Sequence, residues 1–143
     1  MAHILVVDDE PDVLNLVAKA LGRHEGVRVS TARRAAAARA VLMSDGVDLM
    51  ITDARMPGEN GVALARAAAE LGIPALVVSG DTDWALAEGV APDCLIAKPF
   101  ELVTIEQAAF RLLAAGRPGL TTPCRNDGAS RSWPAMPDGD MTR

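Results

Sequence analysis

Val47-Asp48-Leu49-Met50-Ile51-Thr52-Asp53, followed at once by Ala54-Arg55-Met56-Pro57-Gly58, is the stretch whose reading decides the fold. Leu49–Ile51 is a continuous apolar run with no polar alternation, the pattern of a strand buried on both faces. Asp45-Gly46 ahead of it is a turn signal, and an acid closes it. Open parallel sheets place their chemistry just beyond the carboxyl ends of their strands, so Asp53 is a candidate reactive group. Taken alone, it also reads as a turn or helix-capping acid.

Working outward, the same apolar runs alternate with helical patterns. His3–Val7 is an apolar strand closed by Asp8-Asp9-Glu10. Pro11 then suits the first turn of a helix that runs to about Arg23 on Val13, Leu14, Val17, Ala20 and Leu21. Val27–Thr31 is a short β-branched strand. The Ala-rich segment from Arg34 to about Met43 is a helix on propensity, with Ala37, Ala40 and Val41 expected on its inner face. Beyond Gly58, Val62, Ala65, Ala68, Ala69 and Leu71 mark a helix over Gly61–Leu71, stopped by Gly72 and Pro74. Ala75–Val78 is a fourth strand, ending in Ser79-Gly80-Asp81, and a short helix over about Thr82–Glu88 stops at Gly89. Asp93–Ala97 is a fifth strand, closed by Lys98-Pro99. Leu102, Ile105, Ala109, Leu112 and Leu113 stripe a last helix that ends near Gly116. Five strands alternating with five helices predict an α/β fold of the flavodoxin-like (βα)5 type. It has a five-stranded parallel sheet in the order 2-1-3-4-5, with helices on both faces. Residues 1–116 are expected to form one domain. Pro, Gly, Ser, Thr and Arg dominate 117–143 without apolar period, so that segment reads as a flexible tail carrying no output domain.

Composition excludes several classes. The 143 residues are half apolar and carry a net charge of −5, which disfavours direct nucleic-acid binding. Aromatics are scarce, with two Phe, two Trp and no Tyr, so packing must rest on aliphatic side chains. The two cysteines do not make a disulfide framework, and Cys94 reads as a small core hydrophobe. His3 and His24 are isolated, without zinc-ligand spacing. No apolar run approaches the roughly 20 residues that span a bilayer, and Asp8 and Asp9 interrupt the first run too early for a signal peptide. A cytoplasmic protein without membrane contact is expected.

Four strand tips carry polar residues: Asp8-Asp9, Asp53, Ser79 and Lys98. A parallel sheet brings all of them to one edge. Converging carboxylates repel one another unless a cation intervenes, and hard oxygen ligands describe a Mg²⁺ site. A lysine and a hydroxyl on the same edge complete a set suited to a phosphoryl group in transfer, with Asp53 as nucleophile. Separately, Asp8-Asp9-Glu10 are acids favoured at a helix N-terminus, Ser79 is a turn residue and Lys98 is a solvated charge. Those readings would all have to hold at one edge together.

The residues Ile4-Leu5-Val6-Val7-Asp8-Asp9-Glu10, Thr52-Asp53-Ala54-Arg55-Met56-Pro57-Gly58, Ser79-Gly80 and Lys98-Pro99-Phe100 resemble the receiver domain of two-component response regulators, over roughly residues 3–115. The resemblance implies Mg²⁺ held directly by Asp9, Asp53 and the backbone carbonyl of Arg55, with Asp8 acting through water. It implies Lys98 on the phosphoryl oxygens, Ser79 swinging in to hydrogen-bond the phosphate, and a cis Lys98–Pro99 bond. The phosphodonor would be a histidine kinase or a histidine phosphotransfer protein, and the output would be protein–protein contact rather than enzyme turnover. A phosphate sink for a kinase and a non-phosphorylated pseudo-receiver scaffold are the alternatives. A haloacid dehalogenase-type phosphohydrolase would need an acid where Arg55 stands.

Two departures concern the read-out. Receivers usually carry Tyr or Phe three residues before the lysine, where this chain has Leu95. Ser79 and Lys98 are only nineteen residues apart, which shortens the fourth helix by about one turn. An atypical signalling face with Trp84 exposed on it is therefore expected. An Arg55–Asp81 pair is expected across the opening of the site, slowing hydrolysis of the aspartyl phosphate.

Overall fold

The computed structural model describes residues 1–44 and 46–115. In chain order the strands are β1 (Ala2–Val7), β2 (Val27–Ala32), β3 (Leu49–Asp53), β4 (Arg55–Met56), β5 (Glu59–Asn60), β6 (Ala75–Ser79) and β7 (Leu95–Ala97). The helices are α1 (Pro11–Gly22), α2 (Ala35–Ser44), α3 (Gly61–Glu70), α4 (Thr82–Ala87) and α5 (Leu102–Ala114). β2-β1-β3-β6-β7 form a five-stranded parallel sheet, while β4 and β5 pair as a separate antiparallel ribbon. With that ribbon set aside, the order is the 2-1-3-4-5 of the flavodoxin-like expectation. The tail expected over 117–143 lies outside the described residues.

Burial follows strand position. Every residue of β3 and β6 is buried, as a strand covered on both faces requires, while edge strand β2 is only partly covered. Ile4, Leu5, Leu49, Met50, Leu64 and Leu76 are fully buried, so aliphatic side chains fill the centre, as the shortage of aromatics demands. Parallel register then aligns the tips. Val7 pairs with Thr52, Asp53 with Val78, and Ser79 with Ala97, which brings the residues following β1, β3, β6 and β7 to one edge.

Three local expectations need correction. The inner face of α2 is Ala38 and Leu42, whereas Ala37 and Ala40 are exposed and Val41 is only partly covered. An alanine run has no polar contrast from which to read a face. Leu71 is 46% exposed, because α3 has already ended at Glu70. The last strand is shorter than expected: Pro92–Cys94 is a 3₁₀ turn closed by the Cys94 N–H donating to the Ala91 carbonyl at 2.9 Å. Proline preset the first residue of that turn, and Cys94 is buried within it.

At the opposite edge of the sheet, His3 is buried and held by β2. Its Nδ1 lies 3.0 Å from Nη2 of Arg28 and its Nε2 2.7 Å from Oγ of Ser30. A guanidinium only donates, so Nδ1 is the acceptor and the ring proton sits on Nε2, facing the serine.

The passage from β3 to α3 depends on one glycine. Asn60 caps α3 by accepting from the Val62 and Ala63 N–H groups at 2.8 and 3.2 Å, and the Gly61 N–H donates to the Ala54 carbonyl at 2.7 Å. A Cβ on Gly61 would overlap the carbonyl oxygen of Asp53 and come within 2.8 Å of its carbonyl carbon. Main chain cannot swing aside as a side chain can. Gly61→Ala is expected to cost about 3 kcal/mol, or roughly 10 °C in Tm. Thermal unfolding followed by circular dichroism checks this, and an unchanged Tm would refute the close-approach argument.

Candidate functional site

Asp8, Asp9 and Asp53 each present a carboxylate oxygen to a common point, with these oxygens all within 4.8 Å of one another. Asp8 and Asp53 are buried, and Asp9 is partly exposed. Each reaches the site from a strand tip: Asp8 and Asp9 follow β1, and Asp53 ends β3. Two backbone bonds set these tips in place, from Asp8 N–H to the Ala32 carbonyl at 3.1 Å and from Ala54 N–H to the Val78 carbonyl at 2.8 Å. Asp8 Oδ1 also accepts from the Glu10 N–H at 2.9 Å, which bends the chain into α1.

Lys98 completes the group. Its Nζ lies 3.2 Å from Oδ2 of Asp53, and its main chain is fixed by the Lys98 N–H donating to the Ser79 carbonyl at 2.9 Å. The Lys98–Pro99 bond is cis, as the resemblance implied. One lysine does not balance three acids, and Asp8 records the imbalance. Burial raises its pKa first, with the charges of Asp53 and Asp9 adding to the rise; the Glu10 hydrogen bond and Lys98 oppose it.

Ser79 is buried at the tip of β6. Its Oγ donates to the Asp81 carbonyl and accepts from the Asp81 N–H, both at 2.9 Å. The hydroxyl is thus on the expected edge but engaged with its own turn.

The Arg55–Asp81 pair is not formed. The Arg55 guanidinium instead lies over the Trp84 ring, 4.2 Å from its centroid. Asp81 caps α4, accepting from the Trp84 N–H at 3.0 Å. Both side chains converge on Trp84, one on its ring and one on its main chain. The ring's negative π face attracts the cation, while a carboxylate two residues after Ser79 is well placed to satisfy an orphan N–H of the helix. Trp84 is partly covered rather than fully exposed.

A cleft of about 420 Å³ opens beside Asp9, lined by Arg33, Arg34, Met56, Pro57 and Glu59. Glu59 is tied there by accepting from the Ala35 N–H at the start of α2, at 2.7 Å. Nothing in the residue spacing marked Arg33, Arg34 or Glu59, because three separate turns supply the lining. The only available signal was the adjacency of two arginines at the end of a predicted strand.

The donor set fits a small hard cation. Three clustered carboxylates, two of them buried and one with its pKa raised by burial and by its neighbours, are what Mg²⁺ coordination relieves. Thiolate and imidazole ligands for softer metals are not part of the group.

Comparisons with known proteins identify the family. The family model of the response regulator receiver domain matches residues 4–110. The chain belongs to that family, whose members are two-component signalling domains rather than conventional enzymes. It is similar to the TorCAD operon transcriptional regulatory protein TorR of Escherichia coli K12, at 31% identity over 104 residues, which is 70% of this chain and 45% of that one. Protein PetR of Rhodobacter capsulatus is 36% identical over 104 residues, 69% of this chain and 43% of that one. The chain therefore spans less than half the length of these curated relatives. Among solved structures, a response regulator receiver protein from Sinorhizobium medicae superposes with a TM-score of 0.70 at 30% identity, covering 80% of this chain and 95% of that one. A CheY-like receiver domain protein from Methanospirillum hungatei gives 0.69 at 25% identity, covering 80% and 94%. Among the described residues no helix is long and apolar enough to cross a membrane.

The raised pKa of Asp8 fixes a sign for stability. Its contribution is fully present below the ordinary value of 3.8 and is lost as pH rises through the higher folded-state value, above which the ionised, cation-free group is a cost. Asp8→Asn keeps an oxygen for the Glu10 N–H and removes the charge. In EDTA at pH 7 the variant is expected to melt a few degrees above wild type, with the gap closing as pH falls toward 4. Mg²⁺ should stabilise wild type more than the variant. A variant that melts below wild type in EDTA would contradict the electrostatic account.

Proposed function

We propose that Asp53 is the phosphoacceptor of a receiver unit comprising residues 1–116. The observation that carries this reading is the edge where Asp8, Asp9 and Asp53 cluster within 4.8 Å, with Lys98 on Asp53 at 3.2 Å. A phosphohistidine on a histidine kinase or phosphotransfer protein is the donor. An Asp53 carboxylate oxygen attacks phosphorus as the phosphorus–nitrogen bond breaks, and the imidazole nitrogen keeps the electron pair. Asp9, Asp53 and the Arg55 carbonyl would hold Mg²⁺, with Asp8 acting through water, and the bound ion supplies neutralisation of charge on the phosphoryl oxygens. Lys98, already on Asp53, passes to the phosphoryl oxygens once the aspartate is phosphorylated. Ser79 reaches the phosphate by giving up its donation to the Asp81 carbonyl.

Because the Ser79–Asp81 turn also caps α4, recruitment of the hydroxyl disturbs the start of that helix. α4 has six residues, and Leu95 replaces the usual aromatic, so the read-out to a protein partner runs through the α4 face rather than through a swinging ring. The protein acts in the cytoplasm, where kinases hold their phosphohistidines.

Phosphotransfer profiling tests the reading. The purified chain, incubated with a panel of ³²P-labelled histidine kinases and Mg²⁺, is expected to take label from a small subset. Asp53→Asn should lower incorporation at least ~100-fold, since it removes the nucleophile itself, and EDTA should suppress it. Label retained on Asp53→Asn would overturn the assignment.

A further inference from the structure

Two arginines from the α3 side of the molecule hold α4 at its ends. Arg66 of α3 donates from Nη2 to the Glu88 carbonyl, at the C-terminal cap. Arg55 stacks on Trp84 in the first turn. Arg55 is unusual in its two attachments. Its main-chain carbonyl is one of the proposed cation ligands, two residues after Asp53, while its side chain lies on another element.

Resting on the phosphoacceptor reading above, we infer that Trp84 is a positioning residue for the cation site, acting through Arg55. The segment that offers the carbonyl is fixed on either side by buried Ala54 and Met56, but Arg55 between them is exposed. β4 has two residues, paired only as Arg55 with Asn60 and Met56 with Glu59. The chain then turns through exposed Pro57 and through Gly58, at φ 71°. Trp84 is a firmer anchor, because its N–H is held by Asp81 at 3.0 Å and its ring packs against the hydrophobic core. Fixing the Arg55 side chain on that ring restricts the main chain that carries it, and a ligand ordered beforehand binds at lower entropic cost.

Charge gives a second reason. An unanchored guanidinium two residues from Asp53 is drawn toward the three carboxylates, where it competes with a divalent cation. Stacking keeps that charge on the ring. Arg55 thus contributes its carbonyl while its guanidinium is kept away from the acids.

Calorimetric titration of MgCl₂ into the full chain tests the inference in a double-mutant cycle. Trp84→Ala is expected to bind Mg²⁺ about two- to fivefold more weakly than wild type, the scale of one exposed cation–π contact. Trp84→Phe should recover most of the loss, because phenylalanine also offers a π face. In an Arg55→Met background the Trp84→Ala penalty should disappear, which a merely structural role for Trp84 would not produce. A second readout is emission of Trp84 in a Trp133→Phe background, which should change with Mg²⁺ and change less when Arg55 is replaced. Wild-type affinity in Trp84→Ala, or penalties that simply add in the cycle, overturns the positioning role and leaves the phosphoacceptor reading standing. Absence of Mg²⁺ binding by the wild-type chain overturns both. Should Trp84→Ala fail to fold, emission of Trp84 that ignores Mg²⁺ is sufficient to reject the inference.

Discussion

Mutual repulsion among Asp8, Asp9 and Asp53 is the constraint on which the rest of the structure depends. Three carboxylate oxygens within 4.8 Å of one another, at an edge where two of the acids are buried, are opposed among the described residues by one lysine contact at 3.2 Å. Such an arrangement costs stability until a cation or a phosphoryl group changes its charge. The buried parallel sheet supplies the rigidity that keeps the acids together. β1, β3 and β6 are central strands packed on both faces, so their tips cannot move apart without disturbing the aliphatic core.

The surrounding turns serve the same end by different local chemistry. Gly61 lets α3 start against the carbonyl of Asp53 itself, and Asn60 satisfies the first N–H groups of that helix. Glu59 ties the loop to α2, and Asp81 ties the Ser79 turn to α4. Each strand tip is therefore braced by the helix that follows it or by its neighbour. This distribution of braces makes the site sensitive to residues that touch no reacting atom.

The fourth helix is where this chain differs most from what its family resemblance implied. With six residues it is too short to be held by its own hydrogen-bond ladder. Arg55 and Arg66 hold it from outside, by stacking and by donation to a terminal carbonyl. That arrangement accounts for the missing Arg55–Asp81 pair. The guanidinium had a π face within reach, and the carboxylate had an unsatisfied N–H.

Much of the fold was legible in the residues alone. Apolar runs at Ile4–Val7, Leu49–Ile51 and Ala75–Val78 read as strands covered on both sides, and alternation with helical periods implies parallel pairing. The polar residues at the tips were legible too, because parallel topology brings strand ends together whatever the detailed packing. What the chain alone left undetermined depends on side chains that choose among several partners. The inner face of α2 was misread because alanine offers no contrast, and Leu71 because helix stops are diffuse. The partner of Arg55, the cleft beside Arg33 and Arg34, and the closeness of Gly61 to Asp53 join segments whose separation in space no periodicity encodes. Sequence by itself thus determined the parallel sheet and the acidic edge, since these follow from patterning, and narrowed the strand order to a few topologies. Tertiary structure alone decided which cation meets which ring or carboxylate, because those contacts form only after the sheet has brought the turns within reach.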